Sequence, residues 1–172
     1  MTGTATWVSA RSATGFRGAE SGDVSLELST KDAKLGRVTS DLTDDAAGFL
    51  TERHLGVLST LGLRGGIHSV PVGFTLDGGV VRIITSDGTQ KVRNVERGGQ
   101  ATVAQVDGRR WISFAGPARI DRDPAAVARA VELYAARYQQ PRVNPTRVVI
   151  EIVVDQVMGS PRMRPAAPTD GG

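Results

Sequence analysis

The segment Ile84-Thr-Ser-Asp-Gly-Thr-Gln-Lys-Val-Arg-Asn94 carries the densest set of groups suited to chemistry. A β-like run ends in small hydroxyl and glycine residues and leads into a short helical stretch bearing Lys91, Arg93 and Asn94. Backbone N–H groups at a helix start, a lysine point charge and an arginine fork are what binding a phosphate or carboxylate requires. The same spacing also describes a plain strand-to-helix loop, with a capping Ser or Thr and solvated basic side chains. The only histidines, His54 and His68, have too few carboxylates around them in sequence to complete a ligand set, so no metal is expected. Gly-x-Ser-x-Gly is absent, and Ser113 and Asp107 form no triad pattern with either histidine, which disfavours nucleophilic hydrolysis.

Composition narrows the chemistry further. The 172 residues include no cysteine, which excludes disulfides, thiolate nucleophiles, iron-sulfur clusters and cysteine zinc sites. Redox chemistry would have to be carried by a bound cofactor. No apolar run approaches the roughly 18 to 20 residues of a membrane span, and the first 30 residues lack the apolar stretch of a secretory signal. A soluble, cytoplasmic protein without a membrane partner is expected. The net charge of +3 is spread evenly along the chain rather than clustered, and eight aromatics offer little stacking surface, so nucleic acid is not expected as a partner. Between residues 41 and 160, 13 of the 14 basic residues are arginines and the lone lysine is Lys91.

The elements that must position these groups can be read in outline. Residues 1–40 are rich in Ser, Thr and Gly without apolar periodicity and read as a disordered tail, as do residues 161–172. The ordered domain is expected over 41–160. Thr43 is a candidate cap for a helix running to about Arg53, with Asp44 and Asp45 suiting its positive end. Leu55 to Leu61 and His68 to Leu76 read as a hairpin around Arg64-Gly65-Gly66. The glycine turns Asp77-Gly78-Gly79 and Asp107-Gly108 mark two more, between His68–Leu76 and Val80–Thr85 and between Ala101–Val106 and Trp111–Ile120. Gln90 to Arg97 is a short helix, Pro124 to Gln140 a long one, and Val148 to Val154 a strand buried on both faces. Val127, Val131, Tyr134 and Tyr138 share one face of the long helix and read as core packing. Pro71 lacks an N–H and must lie on an edge or a bulge. Six antiparallel strands with these helices describe a small β-barrel, a mainly β fold.

This order of elements resembles the split β-barrel flavin and deazaflavin oxidoreductases related to pyridoxamine 5′-phosphate oxidase, the FMN-binding split barrels. Glu52-Arg-His-Leu-Gly-Val-Leu-Ser-Thr-Leu, Val72-Gly-Phe-Thr, Gln90-Lys91 with Asn94, Gln105-Val-Asp-Gly-x-Arg-Trp111 and Pro141-Arg-x-Asn-Pro-x-Arg-Val-Val-Ile-Glu151 are most similar to the actinobacterial F420-dependent biliverdin reductases. The resemblance implies a homodimer with grooves at the barrel interface and coenzyme F420 as cofactor, FMN being the alternative. It implies hydride transfer to biliverdin, giving bilirubin, or to a similar conjugated substrate. A barrel that binds a flavin or tetrapyrrole without turnover is a further alternative. Carried over residue by residue, His68, Ser69, Val70, Pro71 and Val72 would line a slot for the cofactor ring. Thr85, Ser86, Gly88, Lys91 and Asn94 would hold its phosphate and tail, and Gln105 and Val106 would close the slot. Arg142 and Asn144 would approach from the other subunit. Arg64 and Arg110 are candidates for the substrate propionates, and no catalytic residue is identified.

Overall fold

The structure of the chain, a computed structural model, describes residues 42–163. The expectations for residues 1–40 and for 164–172 lie outside the described residues. Helix α1 (Asp44–Thr51) begins where the sequence places it, because the Thr43 side chain accepts the Ala46 N–H at 3.1 Å and two aspartates occupy the first turn. Strands β1 (Gly56–Leu61) and β2 (Ile67–Val72) form the first hairpin, followed by β3 (Thr75–Asp77) and β4 (Val80–Ser86). Helix α2 (Gln90–Gly98) ends at Gly99, which takes the left-handed conformation of a C-cap at φ 59°. Strands β5 (Gln100–Asp107) and β6 (Arg110–Asp121) follow, then helix α3 (Pro124–Arg137), β7 (Arg147–Val153) and β8 (Gln156–Gly159).

The six expected strands correspond to eight. The extended run from His68 to Leu76 breaks at Gly73-Phe74, where the chain bends from β2 into β3, and the short β8 adds a strand beside β6. All pairs are antiparallel, in the order β2-β1-β5-β6-β7-β4-β3, with β8 on β6. The path does not close, so this is a mainly antiparallel β fold with three helices in the manner of a split barrel. Strand β6 serves both halves: Arg110 to Pro117 pair with β5, and Ala118 to Asp121 pair with β7. Gly116 sits at that changeover, where a Cβ would fall 2.0 Å from the Val153 carbonyl oxygen, so no other residue fits.

The core gathers Phe49, Leu58, Phe74, Ile83, Ile112, Phe114, Ile150 and Ile152. Strand β7 is buried from Val148 to Ile152, as its continuous apolar run implies. Its one acidic residue, Glu151, is neutralised by Arg119 at 2.7 Å and Arg82 at 3.3 Å. The apolar stripe of α3 departs from expectation: Val127, Val131, Tyr134 and Tyr138 are only half-buried and Ala130 is the buried position. Beyond the expected end at residue 160 the chain continues as a turn, with Met163 buried and the Arg162 carbonyl accepting the Thr43 hydroxyl at 2.6 Å.

Candidate functional site

The open path of the sheet creates the site. Among the described residues, strand β2 pairs only with β1 and β3 covers β4 only as far as Arg82, so the last residues of β4 have β7 on one side and no described strand on the other. A groove of about 330 Å³ lies where these two edges face each other. Pro71, Val72 and Gly73 form one wall, and Ile84, Thr85 and Ser86 form the opposite one. Lys91 from the first turn of α2 joins them, with Tyr134 of α3 and with Asn144 and Arg147 at the start of β7. Pro71 thus stands on an edge strand, as its missing N–H demands.

Electrostatics favour an anion here. Lys91 is half-buried, and burial pushes its ammonium group below the ordinary lysine range. Among the described residues it forms no ion pair, whereas Arg82, Arg119 and Arg122 are each tied to carboxylates. The start of α2 is also open: Thr89 makes no side-chain cap, because its hydroxyl donates instead to the Ser86 carbonyl at 3.1 Å. Asp87, the one acidic group in this loop, is cancelled by Arg122, whose Nε and Nη2 each donate at 2.9 Å to one carboxylate oxygen. Those hydrogen bonds hold the Asp87 carboxyl below its usual range. What remains, among the described residues, is an uncompensated cation beside a helix start without a side-chain cap, the arrangement that receives a phosphate or carboxylate.

The structure brings Pro71, Val72, Thr85, Ser86, Lys91 and Asn144 to the groove and places the other expected residues differently. Gly88, at φ 67°, turns the chain into α2 but lies outside the lining, and its N–H donates to Asp87 Oδ1 at 2.7 Å. Arg93 folds back onto the Gly88 carbonyl and Gln90 rather than into the groove. Asn94 is fully buried and spent: its amide donates to Thr60 Oγ1 at 3.0 Å, and its oxygen accepts from Gln90 and Arg97 at 2.8 Å each. His68 is half-buried on β2, with a buried Nδ1 that has no partner among the described residues. Ser69 pairs with Ser59 at 2.9 Å on the outer face, and Val70 packs on the core. Gln105 is wholly buried, donating to the Phe49 carbonyl at 2.8 Å and accepting from Arg137 at 2.6 Å, while its neighbour Val106 is exposed. Arg142 is exposed.

Asn144 reaches the groove of its own chain. Ser86 and Arg147 are register partners across β4 and β7, so the loop just before Arg147 lies beside Ser86, and Asn144 Nδ2 donates to Ser86 Oγ at 2.9 Å. Gly73, Ile84, Tyr134, Pro141 and Arg147 also line the groove and were not expected. The long-helix stripe contained Tyr134, but helical spacing alone does not separate a core face from a groove wall.

Arg110, a candidate for substrate binding, is instead occupied by Glu52, at 2.6 Å and 3.0 Å, and by Asp107. It stacks on Phe49 at 4.6 Å. Glu52, His54 and Asp107 cluster closely enough to suggest a metal centre, but the Arg110 guanidinium bridges the two carboxylates and supplies their countercharge. Hydrogen bonds from Arg110 and then His54 lower the Glu52 carboxyl from an ordinary 4.5 to about 2.

Comparison with known proteins agrees with this architecture. The chain is 48% identical over 124 residues to an F420-dependent biliverdin reductase from Mycobacterium tuberculosis (strain CDC 1551 / Oshkosh), covering 71% of this chain and 90% of that one. A conserved hypothetical protein from Mycobacterium tuberculosis shares the fold with a TM-score of 0.60 at 24% identity, over 73% of this chain and 92% of that one. A solved F420 reductase does so with a TM-score of 0.56 at 23% identity, over 64% and 94%. The family model for pyridoxamine 5′-phosphate oxidase matches residues 42–160, and the chain belongs to that family.

Proposed function

We propose that the protein is an oxidoreductase that uses the deazaflavin coenzyme F420 to reduce biliverdin or a similar conjugated tetrapyrrole. The observation that carries this reading is the 48% identity to an F420-dependent biliverdin reductase over 90% of that relative's length. The groove supports it through its donor set: an unpaired ammonium, an open helix start and no uncompensated carboxylate suit the phosphate and carboxylates of the coenzyme's tail. When bound, the deazaflavin supplies a hydride. Lys91 and Ser86 would bind the tail phosphate, with Asn144 orienting the Ser86 hydroxyl. Pro71, Val72 and Ile84 would give the ring an apolar wall and exclude water from it. Asn94 and Gln105 act from behind, Asn94 anchoring α2 to β1 and Gln105 anchoring β5 to α1 and α3. Catalysis by such a site rests on positioning and electrostatics.

The protein is also proposed to work as a homodimer. The register of β2, β1, β5, β6 and β8 aligns Ile67, Ser69, Pro71, Val57, Ser59, Leu61, Thr102, Ala104, Val106, Trp111, Ala115 and Met158 on one face, none of them charged. Val57, Leu61, Ile67, Val106 and Met158 are each about half or more exposed there. A continuous uncharged face of this kind marks an association surface.

The test is biliverdin turnover with chemically reduced F420, beside reduced FMN and nicotinamide cofactors. Loss of biliverdin absorbance with matching oxidation of F420, and little with the others, is expected. Turnover with reduced FMN alone would replace F420 by FMN, and binding without turnover by any donor would make the protein a carrier.

A further inference from the structure

A second cleft, of about 430 Å³, lies between α1 and α3 over the short strand β3. Leu42, Leu50, Leu76 and Leu133 give it an apolar lining, and its polar members are Thr51, whose hydroxyl donates to the Gly48 carbonyl at 2.7 Å, with Thr75 and Arg137. The last two are chemically unfinished. Thr75 is only 6% exposed, and among the described residues its buried hydroxyl has no hydrogen-bond partner. Leaving such a hydroxyl unpaired costs stability in the empty protein. Arg137 donates to the Glu52 carbonyl at 3.1 Å, the Phe74 carbonyl at 2.6 Å and Gln105 at 2.6 Å, all neutral acceptors. Its two terminal nitrogens each carry a second N–H beyond those bonds. Among the described residues no ion pair compensates its charge, and Phe74 stacks on the guanidinium at 4.6 Å. Apolar walls, a free hydroxyl and an uncompensated guanidinium within one cleft define a ligand with a greasy body and one anionic end.

We infer that the cleft between α1 and α3 binds a small amphipathic carboxylate, its chain against the leucines and its carboxylate on Arg137 and Thr75. This site is separate from the groove, because Tyr134 faces the groove while Leu133 and Arg137 face the cleft. The inference does not depend on the cofactor.

The probe is octanoate, with 1-octanol as the matched uncharged control, titrated into the full chain and followed by leucine methyl and backbone NMR. Octanoate should shift the signals of Leu50, Thr75, Leu76 and Leu133, and octanol should bind at least about tenfold more weakly, the scale of a lost charge-assisted hydrogen bond. Thr75→Val should weaken octanoate about tenfold while leaving the melting temperature of the free protein equal or higher, since it removes an unpaired hydroxyl. Leu133→Trp should fill the cleft and abolish the shifts. Equal affinity for octanoate and octanol, no shifts at these residues, or nuclear Overhauser contacts showing residues before Leu42 seated against Leu133 would each overturn the inference.

Discussion

Gly73 lies against the edge of the Tyr134 ring: a Cβ at this position would stand 2.6 Å from Tyr134 Cε2, closer than carbon atoms pack. The contact fixes the bend between β2 and β3 and sets the groove wall that Tyr134 shares with Pro71 and Val72. Tyr134 cannot easily retreat, because its ring lies 4.8 Å from that of Tyr138, whose hydroxyl donates to the His54 carbonyl at 2.7 Å. Gly73→Ala should therefore cost about 1 to 3 kcal/mol as an overpacked site. In thermal melts, a second substitution, Tyr134→Leu, should recover part of that loss. Strictly additive losses would show that the two residues do not press on each other.

Lys91 and Asn94 stand one helical turn apart on α2, and the structure gives them opposite roles. Lys91→Met should weaken F420 binding by about 1 to 3 kcal/mol, the cost of a lost charge-assisted hydrogen bond. The cofactor-free protein should melt at the same temperature or higher, because a desolvated charge without a partner has been removed. Asn94→Ala should do the reverse, lowering the melting temperature by leaving Thr60 and Arg97 without their buried partner. Quenching of deazaflavin fluorescence, read beside thermal melts, separates the two. Unchanged cofactor affinity in Lys91→Met would remove the groove as the binding site.

How far the sequence foretold this arrangement depended on whether the decisive interaction was local. Thr43 as a cap, the glycine turns at Gly78 and Gly108 and the buried run of β7 each rest on a few consecutive residues, and each stands where the pattern put it. The bend at Gly73 does not: Val72-Gly-Phe-Thr reads as uninterrupted strand until Tyr134, some 60 positions later, fills the space a side chain would need. The same holds for the polar residues. Lys91, Asn94 and Gln105 were equally plausible ligands in one dimension, and only tertiary contacts show Asn94 and Gln105 spent on Thr60, Phe49 and Arg137 while Lys91 stays unpaired. Arg110 was misread for the same reason, since its acidic partner Glu52 is 58 residues away.

The Glu52–Arg110 pair predicts how stability responds to acid. Because the folded state holds the Glu52 carboxyl near 2 against an ordinary 4.5, the charged form is favoured in the fold. Its stabilisation is complete above about pH 4.5 and is lost as pH falls toward 2. Asp87, lowered by Arg122, acts in the same direction. Urea melts of the protein and of Glu52→Gln should therefore differ most near neutral pH and converge as the pH approaches 2. A difference that stays constant across that range would show that Glu52 contributes nothing through its charge.

The uncharged face of β2, β1, β5, β6 and β8 makes the oligomeric state testable by single charges. Thr102 sits near the middle of that face, opposite Ser59 of β1 and Ala115 of β6. On a surface in contact with water, Thr102→Lys would change stability by no more than about 0.5 kcal/mol. In a paired face it buries an ammonium group beside uncharged strand partners, with Asp155 the one carboxylate lining the same pocket, a cost the assembly avoids by separating. Sedimentation equilibrium should give twice the chain mass for the unmodified protein and the single-chain mass for Thr102→Lys, with circular dichroism unchanged. Because Pro71 belongs both to this face and to the groove wall, separation should also weaken cofactor binding. A Thr102→Lys protein that stays dimeric would move the interface elsewhere, and an unmodified protein that sediments as a single chain would remove the dimer from the proposal.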